Sequence, residues 1–114
     1  MSTTGYTKVS EVKDGAVNTF YVHPHDFKLP KATPEMLRGG DAADNAAITR
    51  SVLGGKPGPA REIVLLNAAV SLLVAGHVAN VRDGIDRAAA AVDSGAAAAR
   101  LEKLIALSQM GVAA

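Results

Sequence analysis

The chain has 114 residues, and its twelve basic and eleven acidic side chains give a formal net charge of +1. This balance excludes the strongly positive surface that binding to nucleic acid or to an anionic membrane would require. The chain has no cysteine, which excludes a disulfide framework and a thiolate metal site. Hydrophobic residues make up 48% of the sequence but aromatic residues only 4%, so a core of Ala, Val and Leu gains little buried area per residue.

The first third of the sequence has the pattern of a β-hairpin. Asp14-Gly15 suits a two-residue type I′ turn, which needs a positive φ at both positions, and it predicts strands at 7–13 and 16–22. Because side chains alternate along a strand, this turn places two apolar pairs on opposite faces. The pairs are Val12 with Val17 and Val9 with Phe20. Both faces are therefore partly apolar, which is typical of a sheet covered on both sides.

The remaining two thirds of the sequence have the pattern of a connector followed by four to five helices. In the connector, Phe27 and Leu29 are expected to point inward. Pro24 ends the second strand because proline cannot donate a ladder hydrogen bond. Capping residues and first-turn prolines indicate helix starts, and glycines indicate helix ends. The predicted starts are Thr33-Pro34, Asp41 with Asp44, Pro59, and Asn80 with Asp83, and the predicted ends are Gly39, Gly54-Gly55, Gly76 and Ser94-Gly95.

Two of these helices carry most of the apolar residues. The helix from about 59 to 75 is apolar around most of its circumference, which predicts burial on all sides. The last helix carries Leu101 and Leu104 and is expected to fray over 111–114.

The longest apolar run, 63–75, is too short for a membrane span, and the N-terminus has no apolar signal region. These observations predict a cytoplasmic protein that does not cross a membrane.

The hairpin does not suit an independent domain. A lone two-stranded hairpin is marginally stable in water and exposes both of its edges. The predicted helices can cover one of its faces, yet both faces are partly apolar. We therefore expect an α+β fragment that is the C-terminal portion of a larger α/β domain. The hairpin and connector would occupy residues 1–30, and the helical part residues 31–114.

The Gly39-Gly40-Asp41 stretch has the glycines of a phosphate-binding loop that precedes a helix. It lacks the spacing of both common phosphate motifs, however. An aspartate at the helix cap would also occupy the amides and repel phosphate. The end of one helix followed by the start of the next explains these residues better.

His23, His25 and Asp26 place three possible metal ligands within four residues. A zinc site needs three or four convergent ligands, and His77 is the only other histidine in the sequence. Pro24 also stiffens the segment against wrapping around an ion. A solvated strand end is therefore the favoured interpretation.

Asn67 lies in the middle of the most apolar helix, where a buried amide needs hydrogen-bond partners. The favoured interpretation is a bond to a neighbouring backbone, such as the Gly39-Gly40 corner, and the alternative is a substrate contact. Asp44 and Asn45 are interpreted as capping residues or as a link to another segment. The sequence has no Ser-His-Asp set, no paired carboxylates with an evident pocket and no activated nucleophile.

Several short blocks, spread from Ser2 to about Gln109, are more specific in combination than alone. They are Ser2-Thr3-Thr4-Gly5, Asp14-Gly15, His23-Pro24, Asp26-Phe27, Leu29-Pro30, Gly39-Gly40-Asp41-Ala42-Ala43, Asn45-Ala46-Ala47-Ile48, Val52-Leu53, Arg61 and Val64-Leu65-Leu66-Asn67-Ala68-Ala69. The GGDAAxNAA and LLNAA blocks at this spacing carry the most information. Over nearly its whole length the chain resembles the C-terminal part of anthranilate phosphoribosyltransferases.

The resemblance implies a family that transfers a phosphoribosyl group from phosphoribosyl pyrophosphate to anthranilate, a step of tryptophan biosynthesis. It implies a nucleoside phosphorylase-like fold, magnesium bound to the pyrophosphate and usually a homodimer. The family's pyrophosphate loop and anthranilate-holding residues lie upstream of the matching region, and its metal-binding Asp-Glu pair lies just before Met1. No catalytic, cofactor-binding or metal-binding residue is therefore expected here, and the fragment alone is expected to be inactive.

Two positions depart from the family pattern. Tyr6 stands where the family has proline, and Met1 stands where the family chain is already in the middle of the sheet. The second departure indicates a truncated gene, an internal start, an isolated domain or a split subunit, and the expected partner is the missing N-terminal portion of the enzyme. An alternative is a stand-alone α-rich interaction module that uses the exposed hairpin edge. An independent small enzyme has the least support.

Overall fold

The protein is described by a computed structural model covering residues 1–111. A two-stranded antiparallel hairpin is followed by two short 3₁₀ turns and then by four α-helices. The strands are β1 (Thr7–Lys13) and β2 (Ala16–Val22), the 3₁₀ turns are Pro24–Phe27 and Pro34–Leu37, and the helices are α1 (Ala42–Leu53), α2 (Pro59–Val74), α3 (Val81–Asp93) and α4 (Ala96–Met110). The predicted order of a hairpin followed by four to five helices is confirmed. Fraying is predicted over 111–114, and positions 112–114 fall outside the described residues.

The hairpin has the predicted register. Asp14 and Gly15 have φ values of 52° and 79°, as a type I′ turn requires. Val12 pairs with Val17, and Val9 pairs with Phe20. Both strands are exposed along most of their length.

The predicted capping residues also act as expected. Asp41 and Asp44 form a capping box at the start of α1, and the side chain of Asn80 accepts a bond from the backbone N–H of Asp83 at the start of α3. The side chain of Thr33 accepts a bond from the backbone N–H of Met36. These local bonds satisfy N–H groups that a helix start leaves without an intrahelical partner.

The core lies where α2 crosses α3, and Leu29 of the connector belongs to the same buried cluster. Gly84 lies at the crossing, and a Cβ atom built on it would lie 2.8 Å from the Cα of Ala69. The two backbones therefore approach more closely than any larger residue allows. The buried core residues are Leu29, Leu65, Leu66, Ala69, Ile85, Ala88 and Val92.

Helix α2 differs from its prediction on one side. Leu66 is 1% exposed, but Val64 is 41% and Val74 83% exposed. The prediction of burial on all sides is therefore wrong for this chain. The physical reason is that α3 and the connector cover only one side of α2, and the other side borders an open groove.

The molecule is extended for its length. Its Cα radius of gyration is 16.0 Å, whereas a compact chain of this length has a radius of about 13 Å. The larger radius is consistent with the exposed hairpin and with the uncovered side of α2. Within residues 1–111, no helix has the length and hydropathy to cross a membrane.

Candidate functional site

The glycine corner before α1 is closed by its own side chains. The backbone N–H of Gly40 donates to Asn45 Oδ1 at 2.9 Å, and Asn45 Nδ2 donates back to the carbonyl of Gly40 at 3.1 Å. The N–H of Asp44 donates to Asp41 Oδ1 at 2.8 Å, and the N–H of Asp41 donates to Asp44 Oδ2 at 3.2 Å. Protein oxygens therefore occupy amides that a phosphate would need, and two of these oxygens belong to carboxylates that repel it.

The histidines near Pro24 close a turn. His23 Nδ1 accepts the N–H of His25 at 3.1 Å, and Asp26 Oδ2 accepts the N–H of His23 at 2.8 Å. The rings of Tyr6 and His23 have centroids 4.9 Å apart. His77 follows α2, and its carbonyl accepts a bond from an arginine of α3. Among residues 1–111, no group of three or more His, Cys, Asp or Glu side chains is arranged to hold a metal ion.

Asn67 bonds to a backbone, as predicted, but the partner is Met1 and not the glycine corner. Asn67 Oδ1 accepts a bond from the Met1 nitrogen at 2.6 Å, and Asn67 Nδ2 donates to the Met1 carbonyl at 2.8 Å. Asn67 Nδ2 also donates to the carbonyl of Ile63 at 3.0 Å. Asn45 holds the glycine corner instead. The carboxamide of Asn67 thus joins the start of the chain to the middle of α2.

The segment before β1 is another feature that the sequence did not reveal. Thr3 is fully buried, and its carbonyl accepts the N–H of Ala32 at 2.8 Å. Within residues 1–111 its hydroxyl has no hydrogen-bond partner. A run of Ser and Thr before a glycine is typical of an exposed loop, so its burial was not predicted.

An ion pair joins the start of α2 to the end of α3. Arg61 donates to the two carboxylate oxygens of Asp93 at 2.8 and 3.0 Å. The Arg61 side chain is 16% exposed and that of Asp93 is 55% exposed. The hydrogen bonds from Arg61, aided by its charge, hold the pKa of the Asp93 carboxyl below its usual range. The pair stabilises the contact between α2 and α3, and nothing in the local sequence indicated it.

The uncovered side of α2 borders an apolar groove of about 650 Å³. Small side chains on both α2 and α3, including Ala68 and Ala91, leave room for another element to approach closely. The lining residues are Leu53, Val64, Leu65, Ala68, Ser71, Leu72, Ala75, Arg87, Ala88, Ala91, Val92 and Ala97. The groups described above cap helices, close turns and join segments, which are structural tasks.

Comparison with known proteins assigns the family. A family described as "Glycosyl transferase family, a/b domain" matches residues 1–98. The chain belongs to this family. An anthranilate phosphoribosyltransferase of Azorhizobium caulinodans is 49% identical over 105 residues, which is 92% of this chain and 30% of the relative. An enzyme of the same name from Trichlorobacter lovleyi is 52% identical over 105 residues, again 92% of this chain and 30% of the relative.

A solved structure shows the same fold. The crystal structure of anthranilate phosphoribosyltransferase from Thermus thermophilus matches with a TM-score of 0.81 and 32% identity. The match covers 90% of this chain and 31% of that chain. The predicted resemblance and the predicted fold class are both confirmed. The chain spans about 30% of the length of the curated relatives that it matches.

Proposed function

We propose that this chain is the C-terminal part of an anthranilate phosphoribosyltransferase. Such an enzyme transfers a phosphoribosyl group from phosphoribosyl pyrophosphate to anthranilate in tryptophan biosynthesis. The observation that carries the proposal is 48–52% identity to enzymes of that name over 91–95% of this chain. We further propose that residues 1–114 belong to one α/β domain, with the hairpin and connector at 1–30 and the helical part at 31–114.

We infer that the role of this part is mechanical. A hairpin with Val12 74% and Val17 66% exposed has apolar surface that an additional strand or helix can bury. The groove beside α2 offers a second such surface. The proposed role is to complete a sheet and to cover it, so that loops elsewhere in the enzyme hold the substrates in fixed positions.

The proposal places the substrate sites outside this chain. Magnesium, implied for the whole enzyme, does not fit the acidic residues at the start of α1, because Asp41 and Asp44 accept each other's backbone N–H groups. We propose that this chain has no catalytic, cofactor-binding or metal-binding residue. Its partner would be the remaining part of the enzyme, which we propose works as a cytoplasmic homodimer.

A chimeric enzyme tests the proposal. The segment of the Azorhizobium caulinodans enzyme that matches this chain would be replaced by the 105 residues of this chain that it matches. The chimera is expected to consume anthranilate in the presence of phosphoribosyl pyrophosphate and magnesium, which is followed as a loss of anthranilate fluorescence. The chain alone is expected to give no turnover above a heat-treated sample.

Two controls make the result interpretable. A chimera that carries Leu66→Asp should lose activity, because the substitution places an unpaired charge in the α2–α3 core. Growth of a tryptophan-requiring strain that lacks the enzyme gives an independent readout. A chimera that folds with a normal melting transition and remains inactive would contradict the proposal.

A further inference from the structure

The carboxamide of Asn67 forms hydrogen bonds only with main-chain groups. One of its oxygen lone pairs and both of its N–H groups are engaged, and two of the three bonds go to the nitrogen and the carbonyl of the same residue, Met1. A contact with both backbone groups of one residue fixes the position and direction of the chain and is independent of the side chain there. An amide N–H can donate the same bond as the Met1 ammonium group.

We propose that Asn67 positions the hairpin relative to the helices, by fixing the main chain at Met1 against α2. The hairpin has two attachments to the rest of the molecule. The first is the segment before β1, in which Thr3 is buried and bonded to Ala32. The second is the connector, in which Leu29 enters the core and the carbonyl of Phe27 accepts a bond from α3.

The strands themselves contribute little to this attachment, because they are exposed along most of their length. A hairpin held at two points keeps one orientation, whereas a hairpin held only by the connector can pivot. Asn67 acts at the first point of attachment beside the buried Thr3, and its bonds join residues 66 positions apart in sequence and end in α2, which forms the core with α3.

Asn45 provides a matched control within the same chain. Its carboxamide also bonds to both the N–H and the carbonyl of one residue, Gly40. That contact spans five positions and closes an exposed corner. The two asparagines therefore make the same pair of bonds, but only one of them joins distant segments.

Electron paramagnetic resonance distances test the proposal on the whole chain. The chain has no cysteine, so spin labels placed by Lys13→Cys at the hairpin tip and by Ala90→Cys on α3 are unique. The labelled chain with no further substitution should give one narrow distance distribution. Asn67→Leu should broaden it about twofold, since the attachment ahead of β1 loses its bonds to α2, and Asn45→Leu should leave the width unchanged.

Two further measurements distinguish main-chain recognition from general stability. A Gly-Gly extension ahead of Met1 replaces the ammonium group by an amide and should leave the distribution narrow. In the unsubstituted chain, the side-chain amide hydrogens of Asn67 should exchange with solvent roughly tenfold more slowly than those of Asn45, a readout that needs no variant to fold. The proposal is overturned if Asn67→Leu leaves the width unchanged, if the Asn45 variant or the extension broadens it equally, or if the two asparagines exchange alike.

Discussion

The hairpin and the α2–α3 pair are both defined by local hydrogen bonds, but they differ in how far the chain buries their apolar side chains. Both obey local rules: the turn sets the strand register, and capping residues set the start of α3. The α2–α3 crossing also buries its apolar residues, with Leu66 1% exposed, while the hairpin leaves Val12 74% exposed. Local bonds can therefore define an element fully without burying it. A region whose strand register is fixed and whose apolar side chains stay exposed presents a surface against which another element can pack.

The largest loss of stability is expected from a substitution in the better-buried region, the α2–α3 core. Leu66→Asp places a charge without a partner in the α2–α3 core and removes apolar contacts. We expect it to lower the free energy of unfolding by on the order of 4 kcal/mol or more. Urea denaturation followed by circular dichroism measures the change.

A matched control for this substitution lies on α4. Leu104 is 63% exposed, so Leu104→Asp should change the free energy of unfolding by less than about 0.5 kcal/mol. Equal losses in the two variants would show that the α2–α3 crossing is not the core on which the chain depends.

The next largest loss of stability is expected where the backbones of α2 and α3 approach each other most closely. In Gly84→Ala the added Cβ would meet the backbone and Cβ of Ala69 at 2.8 Å, so the helices must separate. Such overpacking should destabilise the chain by about 1–3 kcal/mol, measured by the same urea denaturation. Gly111→Ala is the control because a Cβ there has no neighbour within 4 Å. If both variants have the same free energy of unfolding, the contact between the two helices is looser than described.

How far the sequence allowed prediction depends on the distance between interacting residues. The hairpin register, the caps and Gly76 at the end of α2 were predicted because each rests on residues a few positions apart. The partner of Asn67 was not, because Met1 lies 66 positions away and an asparagine carries no sign of which backbone it will meet. The Arg61–Asp93 pair spans 32 positions and was missed for the same reason. The uncovered side of α2 was also missed, since an apolar helix predicts burial only where a covering element exists.

Substitutions in the exposed hairpin are expected to have a smaller effect on stability. Val17→Lys and Asn18→Lys add the same charge at adjacent positions of β2, and adjacent positions lie on opposite faces of a strand. In the isolated chain, Val17→Lys should change the free energy of unfolding by less than about 0.5 kcal/mol, because Val17 is 66% exposed. It should nevertheless reduce self-association, since it removes apolar surface that can pack against a second copy.

Sedimentation velocity at several concentrations measures that difference. Asn18→Lys is the control because it leaves the Val12–Val17 surface intact, so it should retain more self-association than Val17→Lys. A chain that remains monomeric at all concentrations before any substitution would show that the exposed hairpin does not drive association.

The smallest expected effect tests the ion pair that ends the α2–α3 contact. Because the pKa of Asp93 is lowered in the folded chain by its bonds to Arg61, the pair stabilises the fold above the ordinary aspartate pKa. This stabilisation is lost as the pH falls through the lowered pKa, since the protonated carboxyl no longer attracts the guanidinium. The gain is modest because the Asp93 side chain is 55% exposed and water screens the charges.

Asp93→Asn should therefore melt at a slightly lower temperature near neutral pH and show a weaker decline in melting temperature on acidification. Asp86→Asn serves as the control, because the contact of Asp86 with Arg82 is longer, at 3.5 Å, and both side chains are more exposed than Arg61. If the melting temperatures of Asp93→Asn and the unsubstituted chain decline in parallel from neutral to acidic pH, the Arg61–Asp93 pair contributes nothing to stability. The end of α3 would then be held by apolar packing alone, and the contrast between the two regions would rest on burial without any help from charge.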